Sequence, residues 1–228
     1  MLADLMDMDL DQAILDRHSV RQYTERKIEG DTLRKLQEEI DEINSESGMD
    51  IRLFLDEPKA FSGFMLKATT GFKNAVNYFS IIGPESDTLS MDAGYYGERL
   101  VLFAQKLGLN TCWAMMANRK DVSGTMKEGY RNVINISVGY GENQGKPHKS
   151  KPIEKFGEMD GAPEWFVKGV ECAMLAPTGL NKQGFRFERD GGRVRIVSGG
   201  STLSQIDAGI ARFHFEYGAG KENFSWMD

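Results

Sequence analysis

The order of helical and strand patterns is the feature that most limits what this chain can fold into. Apolar residues recur at helical spacing over residues 88–107, whereas the runs YFSIIGP and ISVGYG are short, continuous and end at turn glycines. Further helices are predicted at about 163–175 and 204–217, with two strands between them. Helices and strands mix without a regular strand–helix–strand alternation, which favours an α+β fold over a doubly wound sheet.

The ends of several elements are also predicted by local signals. Asp9 and Asp31 are expected to cap two helices near the start of the chain. Gly108 is expected to end the helix over 88–107, and the run TCWAMM after it to form a short strand. Residues 141–163 are rich in Gly, Lys and Pro, and a connection of this length is typical of a functional loop or a linker.

Composition limits the class of protein. The chain has 228 residues, 40% of them hydrophobic, which suffices for one large domain or two small ones. A net charge of −6 argues against nonspecific nucleic-acid binding. The first residues are acidic and no apolar run reaches membrane length, so we expect no signal peptide and no membrane partner. The two cysteines and three histidines lack metal-ligand spacing, so we expect no metal and a reducing cytoplasm.

Two stretches of the chain repeat one order of features. LSMDAGYYGERLVLFAQKLGLNTCW and LSQIDAGIARFHFEYGAGKENFSW each contain a polar start, Asp-Ala-Gly, an apolar helix pattern and a tryptophan. Asp92 and Asp207 lie 115 residues apart, and Trp113 and Trp226 lie 113 apart, near half the chain length. Chance similarity of two amphipathic helices accounts for this as well as a duplication within one polypeptide does.

Two basic stretches are candidate anion sites. DRHSVRQY places Arg17 and Arg21 four residues apart, so on a helical turn they would face one side together with a nearby hydroxyl. GKPHKSKP places Lys149 and Lys151 on one side of an extended segment, which suits a phosphate. On spacing alone, a solvated helix end and a solvated linker are the commoner explanations of the two patterns. Neither stretch completes a Walker A or GxGxxG motif, and no hydrolytic GxSxG elbow is present.

A polar, proline-led stretch, LAPTGLNKQGF, follows the helix predicted at about 163–175. It is rich in turn formers, so a plain helix-to-strand connection is one interpretation. It also carries hydrogen-bonding side chains at Thr178, Asn181 and Gln183, so a ligand loop whose partner groups lie elsewhere is the other.

Together these stretches resemble the FMN-binding nitroreductase family. RHSVRQY resembles its Arg-x-Ser-x-Arg signature, and DAGYYGERLVLFAQKLGLNTCW resembles its long central helix followed by Gly-Leu-Gly-x-Cys-Trp. ISVGYG with HKSKP resembles its closing strand and phosphate-binding basic pair, and LAPTGLNKQGF resembles its Ala-Pro-Ser-x-x-Asn-x-Gln-Pro loop. The chain departs from the family in having Gly184 where the loop ends in proline, and in carrying the loop about 160 residues after the Arg/Ser signature.

The late loop resembles the arrangement in single-chain members of the TM nitroreductase-like group. The resemblance implies a nitroreductase-like α+β fold, with mixed or antiparallel sheets flanked by helices and two diverged half-units in one chain. A first half over residues 1–150 would carry the Arg/Ser signature, the central helix and the phosphate lysines. A shorter second half over 151–228 would carry the Pro/Asn/Gln loop and pack with the first. One complete flavin site per chain would then form, in a monomeric pseudo-dimer or a homodimer.

The resemblance also implies a reaction and a set of residues. FMN would accept electrons from NADH or NADPH and pass them to a nitroaromatic, quinone or similar small acceptor by ping-pong turnover, with no catalytic side chain strictly required. Arg21 would tune the flavin, and main-chain N–H groups around Trp113 would reach its N5 atom. The implied cofactor-binding residues are Arg17, His18, Ser19, Arg21, Trp113, Ala114, Met115, Lys149, Lys151, Pro177, Thr178, Asn181 and Gln183.

Three other functions fit the same residues. A flavin-binding relative could carry out dehalogenation or flavin breakdown, because the residues lining a substrate pocket cannot be identified from the pattern. A non-catalytic module could bind a phosphorylated metabolite through its arginines and lysines. A structural partner whose basic clusters are solvated is the third. Retention of a yellow flavin would favour the flavin-binding relative over the metabolite-binding module and the structural partner.

Overall fold

The computed structural model describes residues 10–61, 71–115 and 125–227, and its helices and strands mix as the pattern predicted. The five helices within this part of the chain are α1 (Leu10–Asp16), α2 (Gly30–Ser47), α3 (Leu89–Lys106), α4 (Glu164–Ala173) and α5 (Thr202–Ala219). The strands there are β1 (Arg52–Phe54), β2 (Tyr78–Pro84), β3 (Asn110–Ala114), β4 (Tyr130–Gly139), β5 (Phe185–Asp190), β6 (Arg193–Ser198) and β7 (Ser225–Trp226). The α+β fold class is therefore confirmed.

The chain divides into two compact units. The first contains the described residues up to Leu89 together with Arg99–Pro147, and the second contains Ser90–Glu98 and the chain from His148 onward. Helix α3 thus contributes its first half to the second unit and its second half to the first.

The first unit is built on an antiparallel sheet in the order β1-β2-β4-β3. Strand β2 is buried along almost its whole length, because the continuous apolar run YFSIIG leaves no polar face for solvent. Strand β4 carries buried Asn132, Asn135 and Ser137 among its apolar residues, and Asn132 donates hydrogen bonds to Ser80 Oγ at 2.6 Å and to Asn135 Oδ1 at 2.9 Å. The sheet forms the core on which the N-terminal segment is placed.

A buried arginine joins α2 to the second half of α3. Arg99 is only 2% exposed, and it donates to the carboxylates of Glu39 at 2.7 Å, Glu42 at 2.9 Å and Glu46 at 2.7 Å. The three acceptors lie on one face of α2 because they are spaced three and four residues apart. Burial raises the pKa of Glu39, and the Arg99 charge opposes that rise. The guanidinium thereby keeps buried charge compensated in the first unit.

The second unit is built on a mixed three-stranded sheet. Strands β5 and β6 form an antiparallel hairpin, and β7 pairs parallel to β6. Phe187 of β5 stacks on Phe215 of α5 with ring centroids 4.3 Å apart. Helix α5 is buried on nearly every side from Ile206 to Ala211, as expected for a helix that is apolar around most of its circumference.

The two repeated Asp-Ala-Gly stretches contact each other inside the second unit. A Cβ atom built on Gly94 of α3 would lie 2.1 Å from the Ile206 carbonyl oxygen, and one built on Gly209 of α5 would lie 1.9 Å from the Met91 carbonyl oxygen. The contact is reciprocal, because Met91 and Ile206 each directly precede the aspartate of their own stretch. Both positions require glycine, since a backbone carbonyl cannot move aside as a flexible side chain can.

Several predicted element ends are corrected by the structure. The prediction that Asp31 caps α2 is wrong, because α2 begins at Gly30 with Glu29 at the N-cap. Asp31 instead forms an ion pair at 2.9 Å with Lys35, one turn later in the helix. Gly108 has φ 77 just past the last turn of α3, as its predicted role requires. The predicted strand TCWAMM is observed up to Ala114, and Met116 lies outside the described residues, as does the Asp9 cap.

Candidate functional site

The segment that carries the Arg/Ser signature is extended, and the expected helical turn is wrong. Helix α1 ends at Asp16, and Ser19 forms a parallel bridge with Thr111 of β3. Val20 N donates to the Thr111 carbonyl at 3.0 Å, which fixes the segment beside the sheet. In an extended chain alternate side chains lie on the same side, so Arg17, Ser19 and Arg21 remain candidates for one anion site. The extended backbone, rather than a helical turn, would place them together.

These three side chains affect the pKa of one thiol. Burial raises the pKa of Cys112 in β3, while the positive charges of Arg21 and Arg17 and a hydrogen bond with Ser19 oppose the rise. Cys112 is 3% exposed and Arg17 is 4% exposed, so this part of the signature lies against the sheet. Arg21 is exposed. The segment that carries the two arginines and the serine therefore lies beside β3.

A buried tyrosine holds the signature segment in place. Tyr23 Oη donates to the Val20 carbonyl at 2.7 Å and lies 2.7 Å from Ser137 Oγ of β4. Burial strongly raises the pKa of Tyr23, so its hydroxyl stays protonated. His18 is half-buried, and a Cβ atom on Gly145 would lie 2.7 Å from the His18 Cβ, so the connection after β4 passes directly over the segment.

The end of β3 carries the residues expected near the flavin N5 atom. Ala114 is the last strand residue and is buried, and Trp113 beside it is half-buried. Met115 forms a turn at the edge of the described chain. These three positions directly follow Cys112, so they continue the strand beside which the signature segment lies.

A second cluster, within the second unit, links the lysine stretch to the proline-led loop. The Lys149 carbonyl accepts from Asn181 Nδ2 at 3.0 Å and from Gln183 Nε2 at 2.7 Å. Lys151 N donates to Gln183 Oε1 at 2.9 Å, and Lys151 Nζ donates to the Gln183 carbonyl at 3.2 Å. Lys151 Nζ also donates to the Lys182 carbonyl. Residues 149–151 and 181–183 therefore form one hydrogen-bonded structure, which we call the lysine clamp.

Gln183 is the centre of the lysine clamp. Gln183 as a whole is 4% exposed, and its Nε2 donates to both the Lys149 carbonyl and Asn181 Oδ1. An amide nitrogen has two protons, so both donors of Gln183 are engaged within the protein. The Lys149 side chain is exposed. These hydrogen bonds hold the main chain of Lys149 in place, while its side chain stays exposed.

The loop itself adopts an unusual backbone. Leu180, Asn181 and Gln183 have φ values of 55, 54 and 46, in the left-handed region that side chains rarely adopt. Thr178 Oγ1 accepts from Gln183 N at 3.0 Å, and Gly179 N donates to Asp207 Oδ1 of α5 at 2.9 Å. Pro177 is half-buried at the start of the loop. Several non-glycine residues in this conformation persist only because surrounding contacts over-determine them.

Asp207 is a loop anchor that the sequence pattern did not identify. Asp207 belongs to the repeated Asp-Ala-Gly stretch, but the repeat does not predict its hydrogen bond to Gly179. Burial raises the pKa of Asp207 to about 6, while the hydrogen bond from Gly179 N and the Lys182 charge oppose the rise. A carboxyl group with this pKa changes charge near neutral pH.

We expect the Asp207→Asn variant to remove a pH dependence of folding stability. The carboxyl titrates at about 4 in an unfolded chain, so the folded protein binds its proton more tightly. Protonation of Asp207 therefore raises the free energy of unfolding by on the order of 2 kcal/mol below about pH 4. This contribution is lost as the pH rises through about 6. Urea unfolding at pH 4 and pH 8 should show Asn matching wild type at the lower pH and exceeding it at the higher.

Asp207→Ala provides the contrast for this measurement. It leaves Gly179 N without its acceptor, so it should be less stable than the Asn variant at both pH values. Equal responses of the wild type and the Asn variant to pH would contradict the assigned titration of Asp207.

Metal sites and membrane spans are two other classes of feature that the described residues could contain. No group of three or more His, Cys, Asp or Glu side chains in the described ranges is arranged to hold a metal ion. Among the helices that the structure describes, none is both long and apolar enough to cross a membrane.

The fold and the two clusters define a class of protein that comparison with known families identifies. The model of a family described as "Putative TM nitroreductase" matches residues 9–219 of the chain. The chain therefore belongs to this nitroreductase family, a family of oxidoreductases. The match begins before the signature segment and continues through α5, so it includes both clusters.

Solved structures show the same fold. A structure from Thermotoga maritima, described as a "putative nitroreductase", is 26% identical with a TM-score of 0.67, and the match covers 94% of this chain and 85% of that one. A "putative NADH dehydrogenase/NAD(P)H nitroreductase" from Bacteroides thetaiotaomicron is 18% identical with a TM-score of 0.50, covering 65% and 96% of the two chains. A protein of the same description from Parabacteroides distasonis is 19% identical, with the same TM-score and coverage. No curated protein matches the chain.

Proposed function

We propose that this protein binds FMN and transfers reducing equivalents from NADH or NADPH to a small acceptor such as a nitroaromatic or a quinone. The observation that carries the proposal is the position of the extended segment with Arg17, Ser19 and Arg21 beside Thr111 and Cys112 of β3, in a member of a nitroreductase family. Two guanidinium groups and a hydroxyl fit an anionic ligand that also accepts hydrogen bonds, as FMN does.

Each residue of the first cluster has a proposed role. Arg17 neutralises phosphate charge, and Ser19 donates to the phosphate or the ribityl chain. Arg21, whose side chain is exposed, would place a positive charge near the pyrimidine edge of bound FMN and would stabilise negative charge there. Main-chain N–H groups at Trp113–Met115 would donate toward the flavin N5 atom when FMN is bound, and His18 packs beside the segment. When bound, FMN supplies the hydride and electron chemistry, and the protein supplies orientation and charge.

The second cluster supports a refinement of the expected roles. Asn181 and Gln183 were expected to bind the flavin directly, but their side-chain donors bind the Lys149 carbonyl. We propose that they position the lysine clamp and that the exposed Lys149 ammonium group is the phosphate ligand. Lys151 already donates to two carbonyl oxygens, so it contributes mainly through its charge. Pro177 and Thr178 shape the loop, since Thr178 Oγ1 accepts from Gln183 N.

The reciprocal glycine contact supports descent from two copies of one unit. Gly94 and Gly209 lie 115 residues apart, and so do the two residues whose carbonyls they meet. A contact in which position i meets j and j meets i is the hallmark of two-fold symmetry. We propose that the half-units of about 1–150 and 151–228 diverged after duplication, with one flavin site retained. Donor and acceptor would then use that site in turn, which predicts ping-pong kinetics.

The first test is flavin retention and its dependence on Arg21. Purified protein incubated with FMN and freed of excess ligand should keep a flavin absorption spectrum at about one FMN per chain. Arg21→Ala is expected to weaken FMN binding about tenfold, by the loss of one charge-assisted interaction, and to slow anaerobic reduction by NADH or NADPH. Arg131→Ala removes a half-buried arginine of β4; it is the matched control and should match wild type.

Other outcomes of this test have distinct meanings. Two FMN per chain would contradict the loss of one site. A colourless protein that binds inorganic phosphate through the same residues would replace the oxidoreductase with a metabolite-binding module. Full flavin content and unchanged reduction kinetics in Arg21→Ala would remove Arg21 from the site.

A further inference from the structure

A cysteine, a histidine and a glutamate that belong to neither cluster form a chain of contacts in the second unit. His214 Nε2 lies 2.9 Å from Glu98 Oε1, and both side chains are fully buried. The other ring nitrogen, Nδ1, lies 3.9 Å from Cys172 Sγ. Cys172 is the second-last residue of α4 and is partly exposed. Nothing in the proposed flavin chemistry uses these residues.

The glutamate determines which nitrogen of the imidazole is available. A neutral imidazole has one N–H donor and one acceptor nitrogen. The Glu98 carboxylate accepts hydrogen bonds, so it holds the proton on Nε2 and leaves the Nδ1 lone pair directed at the thiol. A nucleophile beside a base, with the base oriented by a third group, is the arrangement that activates cysteine and serine side chains.

The backbone keeps the thiol at this position. A Cβ atom on Gly218 of α5 would lie 2.5 Å from the Cys172 Cβ atom, so α4 and α5 approach closely at the cysteine. His214 lies one turn earlier on α5, which places its ring on the same side of that helix. The sulfur and the imidazole are thus held by two packed helices rather than by a loop, which favours a fixed geometry.

We propose that Cys172 is a reactive thiol and a site of modification by peroxides, with His214 as its base and Glu98 as the positioning residue. His214 Nδ1 takes the thiol proton, and the thiolate sulfur attacks one oxygen of hydrogen peroxide. The O–O bond breaks, and the departing hydroxide takes the proton from Nδ1 and leaves as water. Sulfur is oxidised to sulfenic acid and peroxide is reduced, so one thiol and one peroxide yield one sulfenic acid and one water.

The second cysteine is an internal reference for this reactivity. Cys112 is 3% exposed, and burial raises the pKa of its thiol. Reactivity follows the thiolate fraction and exposure, so Cys112 should react slowly. One protein therefore carries an activated and an inactive thiol, which are compared under identical conditions.

The test measures the oxidation rate of each cysteine in the full chain. The protein is treated with hydrogen peroxide at pH 7, sulfenic acid is captured with dimedone, and each cysteine-containing peptide is quantified by mass spectrometry. Cys172 is expected to react at least ~10-fold faster in the folded protein than in the same chain unfolded in urea, because general-base assistance typically contributes this much or more. Cys112 is expected to react more slowly folded than unfolded.

Two variants separate activation by the base from simple exposure. Glu98→Gln keeps the shape but removes the carboxylate that fixes the tautomer, and His214→Phe removes the base while filling its volume. Each should lower the Cys172 rate about tenfold, leave the Cys112 rate unchanged and leave flavin content unchanged. Folded Cys172 reacting no faster than in urea would overturn the proposal by itself, even if a variant fails to fold. Full reactivity in both folded variants would overturn the role of the base.

Discussion

Replacing Gln183 with leucine is expected to lower FMN affinity about 100-fold, if the lysine clamp positions the phosphate ligand as proposed. The variant removes the bonds to Lys149 O, to Lys151 N and to Asn181 Oδ1 while keeping a side chain of similar volume. Buried groups left without partners cost about 1–3 kcal/mol each, and about 2.7 kcal/mol corresponds to a factor of 100. Fluorescence titration of FMN into wild-type and variant protein measures the loss.

Two further variants identify the cause of that loss. Gln205→Leu removes two donor bonds from another glutamine, to Ser198 Oγ and the Gly199 carbonyl, and should retain wild-type affinity. Lys149→Ala should weaken binding without lowering stability, because its ammonium group is exposed. Wild-type affinity in a folded Gln183→Leu protein would show that the clamp does not serve the cofactor.

Replacing Gly209 with alanine is expected to destabilise the protein by about 3 kcal/mol or more. The added methyl group would lie 1.9 Å from the Met91 carbonyl oxygen, so α3 and α5 must separate. Overpacking usually costs about 1–3 kcal/mol, and a contact with rigid backbone lies at or above the upper end. In Gly94→Ala the added methyl group would meet the Ile206 carbonyl, so we expect a similar loss of stability because the contact is reciprocal. Urea unfolding followed by circular dichroism measures both.

Gly200→Ala is the matched control for these glycine variants. No heavy atom lies within 4 Å of a Cβ added there, so its stability should stay close to wild type. Stability of Gly209→Ala within about 0.5 kcal/mol of wild type would mean that the helices do not cross as closely as described.

Much of the fold could be predicted because its signals are local. Helices α3, α4 and α5 and strands β2, β4, β5 and β6 follow from apolar spacing, turn glycines and length. Strands β1 and β7 could not be predicted, because segments of three and two residues depend on pairing with a distant partner. The extended form of Arg17–Arg21 was missed for the same reason: bonds to Thr111 and Lys73 outweigh the local helical pattern.

The candidate site was predictable in its residue types and not in its contacts. Hydrogen-bonding side chains in a proline-led loop indicated a ligand loop, and spacing indicated a pair of lysines. Nothing in the sequence pattern indicated that Gln183 would use its amide on the Lys149 main chain, because that bond joins segments 34 residues apart. The effect of Arg17 and Arg21 on the pKa of Cys112 likewise depends on how the signature segment lies beside β3.

The residues that follow the two glycines of the reciprocal contact, on α3 and on α5, make different interactions. Arg99 and His214 also lie 115 residues apart, yet Arg99 binds three glutamates of α2 whereas His214 binds Glu98 and faces Cys172. In an assembly of two identical chains, every mutation appears twice, so a residue useful at one copy must be tolerated at the other. A single polypeptide is free of that constraint. On the proposed duplication, the helix crossing would keep an ancestral pairing while each flank evolves separately, and a second chemistry could arise without disturbing the first.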